Sequence, residues 1–312
     1  MNHNELKDTL FIIPLLTFSR SILVASGLTT LPPYKGEESF LLRAMRELHF
    51  RLNLPFKKIW FYPVNRQYSS FFIFDGVSPD YIQWLHKKYP QSSFIMFYMN
   101  KCQPYDSPDK YPFDFLNMWS GDEEDCKKWN VLRQVPTMGA YSQAWKIDKI
   151  EPEYDIFFVG KDKGGQRLKE LMKLKTAFES YGLKTYFHIV ADHRYDRYKK
   201  RIYKNSMPYN ECLRYLSMSK AILYLGYGSQ ECVTIRIQES LVHKIKLITD
   251  CHWIKKFDFY RSQNIFILGE DKLDDLPQFL NTPYVEVKGE ILEHLYFDDL
   301  AKEIISRSQK TR

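Results

Sequence analysis

Three loops carry most of the residues whose types could do chemistry. In "YDIFFVGKDKGG" (154–165) an apolar run ends in Gly160, Lys161, Lys163 and Gly164, with Arg167 just beyond. Glycines let a backbone approach a ligand closely, free N–H groups at a helix start attract anions, and the cations neutralise phosphate. The same residues would also serve as an ordinary solvated turn. The stretch matches neither G-x-x-x-x-G-K-[ST] nor G-x-G-x-x-G. In "GYGSQECVTIRIQES" (226–240) a Gly-rich loop with Ser229 precedes a helix whose first turn would hold Thr234 and Arg236, where a phosphate or ribose could bind. Glu231 and Glu239 stand there with seven residues between them; the plainer reading of Glu239 is a cap or a pair with a neighbouring lysine. The third loop, 193–204, contains His193, Arg194, Arg197, Lys199, Lys200, Arg201 and Lys204. It reads as a phosphate- or membrane-facing patch or as a solvated charged face. Two of these loops bring glycine and cation to one sheet edge, which makes a nucleotide diphosphate the natural ligand.

The elements that must position these loops alternate along the chain. In the second half the expected order is strand 154–159, helix 166–181, strand 185–190, helix 209–218, strand 221–225, helix 234–243 and strand 245–249. Leu168, Leu171, Met172, Leu174, Phe178 and Tyr181 form one apolar stripe on the first of these helices. In the first half, 9–16, 69–76 and 93–100 read as strands, 38–53 as a helix, and 101–118 as a surface loop. "SPDYIQWLHKKYP" (78–90) reads as a capped helix, with Ser78 at the N-cap and Pro79 at the first helical position. Repeated β-α-β units imply mostly parallel sheets with helices on both faces. The fold class expected is α/β, two Rossmann-like domains facing across a cleft, with ligands beyond the carboxyl ends of the strands. The irregular stretch 131–152 separates them, so the domains are drawn as 1–148 and 149–312.

The bulk properties agree with two domains: 312 residues, 44% hydrophobic and 27% charged. Aromatics reach 16%, which suits aromatic cores or ring surfaces for flat ligands. Lys and Arg number 45 against 38 Asp and Glu, so the +7 charge leans toward anionic partners without choosing among nucleic acid, acidic lipid and nucleotide phosphate. The five cysteines are scattered and no C-x-x-C occurs, which supports neither a disulfide framework nor a zinc ribbon and suits a reducing cytoplasm. "LFIIPLLTFSRSILVASGL" near the start is interrupted by Pro14 and Arg20 and lacks the basic start and cleavage site of a signal peptide. It is also marginal for a membrane span and reads as a buried strand followed by a second short apolar element.

The order strand–"VGKDKGG"–helix, then "GSQECVTIRIQES…KIKLIT", resembles the donor-binding half of GT-B glycosyltransferases. In more detail, "LNLPFKKIWF" (52–61), "FDG" (74–76), "YMN" (98–100), "WSGDEEDCKKWN" (119–130), "YDIFFVGKDKG" (154–164) and T-x-R-x-x-E (234–239) resemble bacterial proteins from capsule, exopolysaccharide and lipopolysaccharide loci, over most of the chain. The family's usual Glu-Gly-Phe-Gly loop is replaced here, Cys232 following Glu231. The resemblance implies that Lys161, Lys163 and Arg167 face the phosphates of a nucleotide-diphosphate sugar, with Arg236 nearby, and that Glu239 takes the ribose. Gly160, Gly164, Ser229, Glu231 and Thr234 complete the donor contacts it implies. It implies no metal or other cofactor: no D-x-D is apparent, and GT-B enzymes stabilise the leaving diphosphate with side chains and helix ends.

On that reading 1–148 binds the acceptor, a glycan or polyprenyl-diphosphate-linked sugar, and 149–312 the donor, with the last helix packing back on the first domain. An inverting enzyme uses a carboxylate to take the acceptor proton, whereas a retaining one can do without, and the sequence leaves both stereochemistries open. Asp75 and Asp122, with Asp125, lie near expected strand ends; Asp75 could instead form a turn before Gly76, and Asp122 cap a short helix at 123–129. In "SFLLRAMRELHFRLNLPFKKIWF" (39–61), Leu41, Leu42, Met45, Leu48 and Leu52 can share a helical face while Arg43, Arg46, Arg51, Lys57 and Lys58 supply charge. That composition suits an interfacial helix on anionic lipid, or a core-packed helix with a basic outer face. The expected place is the cytoplasm, peripheral at the inner face of the membrane. Nucleic acid is not expected as a partner, since no recognisable binding module is present. Two alternatives stand beside the transferase: a non-catalytic partner subunit of the same fold, and a basic nucleic-acid-binding α/β protein.

Overall fold

The computed structural model describes residues 6–14, 20, 23–24, 27–99, 101–133, 147–148, 150–163, 166–192, 202–226, 233–293 and 296–310. The chain divides into two compact units, Met1–Trp145 with His294–Arg312, and Lys146–Glu293. Both are α/β with a parallel six-stranded sheet.

The first sheet is built from β1 (Thr9–Ile12), β2 (Thr30–Leu31), β3 (Ser70–Phe74), β4 (Ser93–Tyr98), β5 (Leu116–Ser120) and β6 (Leu132–Arg133), in the order β2-β1-β3-β4-β5-β6. β3 (SFFIF) and β4 (SFIMFY) are buried at every position, as strands covered on both faces must be. Side chains alternate between two cores because the strand period is two. Leu10, Ile12, Phe71, Ile73, Phe94 and Met96 pack on Tyr81, Ile82 and Leu85. Phe11, Phe72, Phe74, Ile95, Phe97 and Trp119 pack on Phe297, Leu300, Ala301 and Ile304 of the C-terminal helix, Phe297–Lys310. Phe297 sets its ring 5.6–5.8 Å from Phe11, Phe72 and Phe74, and Trp119 Nε1 donates to Ser308 Oγ at 3.0 Å. The many aromatic residues thus fill both cores of this unit.

Three helices follow strands here: α1 (Phe40–Arg51), α2 (Pro79–Lys88) and α3 (Glu123–Trp129). Ser78 Oγ accepts from Tyr81 N, Pro79 opens α2, Asp80 sits in its first turn, and His86, Lys87 and Lys88 in its last, each matched to the helix dipole. Asp122 caps α3, which ends on Asn130 in the left-handed region (φ 51).

The second sheet contains β7 (Tyr154–Lys161), β8 (Thr185–Val190), β9 (Tyr203–Lys204), β10 (Ser219–Tyr224), β11 (Lys246–Thr249) and β12 (Ile265–Ile267). Read from its far edge the order is β9-β8-β7-β10-β11-β12, the Rossmann arrangement, with the strand order reversing between β7 and β10. α4 (Gln166–Ser180), α5 (Tyr209–Ser217) and α6 (Ile235–Val242) provide its crossovers. Leu168, Leu171 and Phe178 of α4 are buried with Ile156 and Phe158 of β7. β7 runs two residues beyond the apolar run because Gly160 and Lys161 pair with Ile189 and Val190 of β8. Among the described residues Cys102, Cys126, Cys212 and Cys251 form no disulfide. Among the described residues no helix is long and apolar enough to cross a membrane.

Candidate functional site

In an open parallel sheet the crevice for a ligand lies where the strand order reverses, outside the carboxyl ends. In the second unit that point is the end of β7 and the end of β10. Arg167, in the first turn of α4, joins the two: Nη1 donates to Lys161 O at 3.2 Å and Nη2 to Leu225 O at 3.1 Å. Expected to face phosphate, Arg167 is used by the backbone at this edge. Asp162, buried just after β7, shapes the turn. Its Oδ1 accepts from Leu168 N at 2.8 Å and its Oδ2 from the Tyr203 hydroxyl at 2.5 Å. Lys163 holds φ 58 and donates its N–H to Asp192 Oδ1 at 3.1 Å. The side chains of Lys161 and Lys163 are exposed at this edge. Gly160 lies on the strand itself, where an added Cβ would stand 3.1 Å from the Phe158 ring. Gly226, after β10, donates its N–H to Asp250 Oδ1 at 2.7 Å. Gly164, Ser229 and Glu231, with loop residues 193–201, lie outside the described residues.

The helix after this loop carries the second set. Thr234 stands at the N-cap of α6 but does not cap it through its side chain; its Oγ1 is buried and has no partner among the described residues. Where no side chain among the described residues caps a helix start, its N–H groups can meet an anion. Arg236 and Glu239, one turn apart, form an ion pair: Arg236 Nη1 donates to Glu239 Oε1 at 2.6 Å and Oε2 at 2.5 Å, and to Cys212 Sγ at 3.3 Å. Glu239 is fully buried. Burial pushes its carboxyl above the ordinary range, while Arg236 and the Tyr209 hydroxyl pull it back down. The partner of Glu239 is therefore an arginine three residues earlier on its own helix rather than a lysine, and Arg236 is turned toward this carboxylate.

The matching edge of the first sheet gathers acids. Asp75 follows β3 directly and Tyr98 ends β4. Asp75 Oδ1 accepts from Met99 N at 3.4 Å. Burial, with the neighbouring Asp106, pushes the Asp75 carboxyl up to about 6, against the pull of the Met99 N–H. Asp106 Oδ2 accepts from Gly76 N at 2.6 Å, and the Tyr111 hydroxyl donates to its Oδ1. Burial raises Asp106 as well. The Tyr98 hydroxyl is buried without a partner among the described residues. Asp122 is committed differently: its Oδ1 accepts from Asp125 N at 3.0 Å as the cap of α3, and Asp125 Oδ2 in turn accepts from Cys102 N at 2.7 Å. Of the two candidate bases, Asp75 has a raised carboxyl and Asp122 makes the bond of a helix cap. Beside them a cavity of about 360 Å³ is lined by Lys101, Cys102, Glu124, Asp125, Lys128 and Trp129. Asp106 carries no local motif; Tyr98 and Trp129 stand inside "YMN" and "WSGDEEDCKKWN", but their own chemistry does not mark them there.

The basic residues of 39–61 are split by the helix. Composition alone puts Arg43 and Arg46 among the surface charges, but α1 turns them inward: Arg43 Nη1 donates to Glu37 O at 2.8 Å, and Arg46 Nη1 lies 3.6 Å from the Glu37 carboxylate. They share a face of α1 with Phe50, opposite the leucine ridge. Arg51 and Lys58 are exposed, and Lys57 donates to Asp80 Oδ2 at 2.7 Å.

No protein-family model matches the sequence, and no curated protein matches it. Among solved structures the chain is similar to the DNA-modifying enzyme beta-glucosyltransferase, determined with and without uridine diphosphoglucose, at 12% identity over 97% of this chain and 98% of that one, TM-score 0.48. It is similar to spinosyn rhamnosyltransferase SpnG at 10% identity over 97% and 96%, TM-score 0.34. Spinosyn forosaminyltransferase SpnP gives 9% identity over 96% and 86%, TM-score 0.31. At these TM-scores the similarities assign neither family nor activity, and the functional reading rests on the residues above.

Proposed function

We propose that the chain is a GT-B-type glycosyltransferase that moves a sugar from a nucleotide-diphosphate donor on its second unit to an acceptor hydroxyl on its first. The observation that carries this reading is the β7–β10 switch point, where exposed Lys161 and Lys163 and the start of a long helix meet at one sheet edge. The donor phosphates lie against these lysines and the start of α6, which the Thr234 side chain leaves uncapped, with Thr234 Oγ1 as a further contact. Asp75 takes the proton from the acceptor hydroxyl as its oxygen attacks the anomeric carbon; the bond from that carbon to phosphate breaks, and the electron pair leaves with the diphosphate. With Asp75 as base the transfer inverts the anomeric centre. Lysines and helix dipole stabilise the leaving charge, so the reaction needs no metal and persists in EDTA. The acceptor is a lipid-linked glycan of cell-surface polysaccharide synthesis, met at the inner face of the membrane. The resemblance of 52–61, 119–130 and 154–164 to proteins of such loci supports this.

Thermal shift against a panel of nucleotides and nucleotide sugars tests the reading. A ligand at a hundred times its Kd stabilises the folded state by about 2.7 kcal/mol. One nucleotide diphosphate is expected to raise the Tm of the wild type, and Lys161→Ala and Thr234→Ala to reduce that rise. Asp75→Asn is expected to bind donor but not transfer. A well-folded protein stabilised by none of the panel removes the donor site.

A further inference from the structure

Helix α1 is mounted with its apolar side outward. Leu41, Met45, Leu48 and Leu52 follow one another at spacings of four, three and four, so they form a single ridge. Their exposures are 67%, 50%, 56% and 58%, and α1 buries none of its residues. The opposite side holds Arg43, Arg46 and Phe50, all turned to the protein: Arg46 lies over the Tyr34 ring at 4.3 Å and Phe50 meets the same ring at 5.6 Å. An amphipathic helix normally does the reverse, and a contiguous apolar ridge in water marks a surface that meets a partner. Just past its end Phe56 holds φ 63, an uncommon backbone for a bulky aromatic residue, and the residue is 79% exposed. Beside the ridge lies a pocket of about 690 Å³ lined by Lys57, Lys58, Lys87, Lys88, Phe56 and Trp84. Asp80, paired with Lys57, is the one acid in its lining. Lys88 Nζ donates to Val64 O at 2.6 Å.

We propose that this face docks on an anionic bilayer leaflet, with the α1 ridge and Phe56 entering the acyl boundary and the four-lysine pocket taking lipid phosphates. The proposal rests on the reading of a lipid-linked acceptor and assigns the surface by which the enzyme reaches it. Charge complementarity selects the occupant. Lys35, Arg51, Lys58 and Lys87 are exposed on or beside this face, against Glu38 and Glu47 of the same stretch. A leaflet of anionic headgroups over hydrocarbon offers both chemistries at once, apolar depth for the ridge and phosphate for the lysines.

Flotation with phosphatidylcholine vesicles, with and without phosphatidylglycerol, tests it. The wild type is expected to float with the anionic vesicles, to lose binding as salt rises, and to bind neutral vesicles weakly. Leu41→Asp/Leu48→Asp strikes the ridge alone and Lys58→Glu/Lys87→Glu the pocket alone; each is expected to weaken anionic-vesicle binding on the order of tenfold or more. Both sites are exposed, so unchanged melting curves are expected and show that the variants fold. Wild type that binds neither vesicle, or binds both equally, overturns the proposal, as do variants that bind like the wild type. A dimer in light scattering that Leu41→Asp/Leu48→Asp splits, with vesicle binding unaltered, gives the ridge to a second copy and overturns it too. Nucleotide-sugar thermal shifts on the same proteins separate the two readings: a donor shift without vesicle binding removes the membrane face alone, and absence of any donor shift in the wild type removes the transferase.

Discussion

Asp75 shows how position changes the protonation of an ordinary carboxylate, and on the proposed reading fits it to act as the base. Half-buried at the end of a strand with Asp106 beside it, it holds its proton up to about 6 rather than the 3.8 of a free side chain. On the proposed mechanism it is ionised near neutral pH yet close enough in basicity to take the proton of an acceptor hydroxyl. The rate is therefore expected to fall as pH drops through about 6, and Asp75→Asn to lose about 10²–10⁴-fold in kcat/KM together with that limb of the pH profile. The stability effect has the opposite sign. Because the folded pKa is raised, this group favours folding below the ordinary carboxylate range, and that contribution is lost as pH rises through about 6. Asp75→Asn should then unfold at higher urea at pH 7, by about 1–3 kcal/mol, since a tenfold change in proton affinity is worth about 1.4 kcal/mol. Glu239 makes the contrary case. Arg236→Met removes the countercharge of a fully buried carboxylate and is expected to cost about 3–5 kcal/mol, whereas Arg236→Met/Glu239→Leu should recover most of it.

At the scale of elements, two acids that look alike in sequence separate. Asp122 opens α3, and its side chain satisfies the Asp125 N–H. Asp122→Ala is expected to lower stability by about 1 kcal/mol and leave turnover within a few-fold of wild type. If Asp122→Ala instead abolished transfer in a folded protein, the base would have to be reassigned. Capping signals made α2 legible: Ser78, Pro79 and Asp80 at the start and Lys87 and Lys88 at the end lie within reach of one another along the chain. The strand β5 was not legible. Its residues Leu116–Ser120 begin inside a Pro-rich polar stretch, and only pairing with β4, Phe97 against Trp119 for example, makes them a strand.

For the whole molecule, the C-terminal helix belongs to the first unit though it ends the chain. Phe297 fills the space among Phe11, Phe72 and Phe74, so Phe297→Ala is expected to cost about 3–5 kcal/mol in urea unfolding. On the proposed function, stabilisation by nucleotide sugar should persist, because the residues proposed to hold the donor sit in the other unit. Loss of that stabilisation in a folded Phe297→Ala protein would show that the units do not act separately.

Local chemistry reaches only as far as the chain's own periodicity. The alternation of apolar runs with amphipathic stripes determined two α/β units, and "VGKDKGG" followed by Leu168, Leu171 and Phe178 determined a strand, a turn and a helix at the right place. What those turns do was decided in three dimensions. The pairing of β7 with β10 placed the Gly160–Lys161 edge at the switch point and drew Arg167 into bridging it. The fold around α6 buried Glu239 and gave it Arg236. The seating of α1 put Arg43 and Arg46 inward and its leucines outward, although both faces are equally plain in the sequence. A helical pattern states which residues share a face; which face meets water depends on Glu37 and Tyr34, contacts that only the assembled unit supplies.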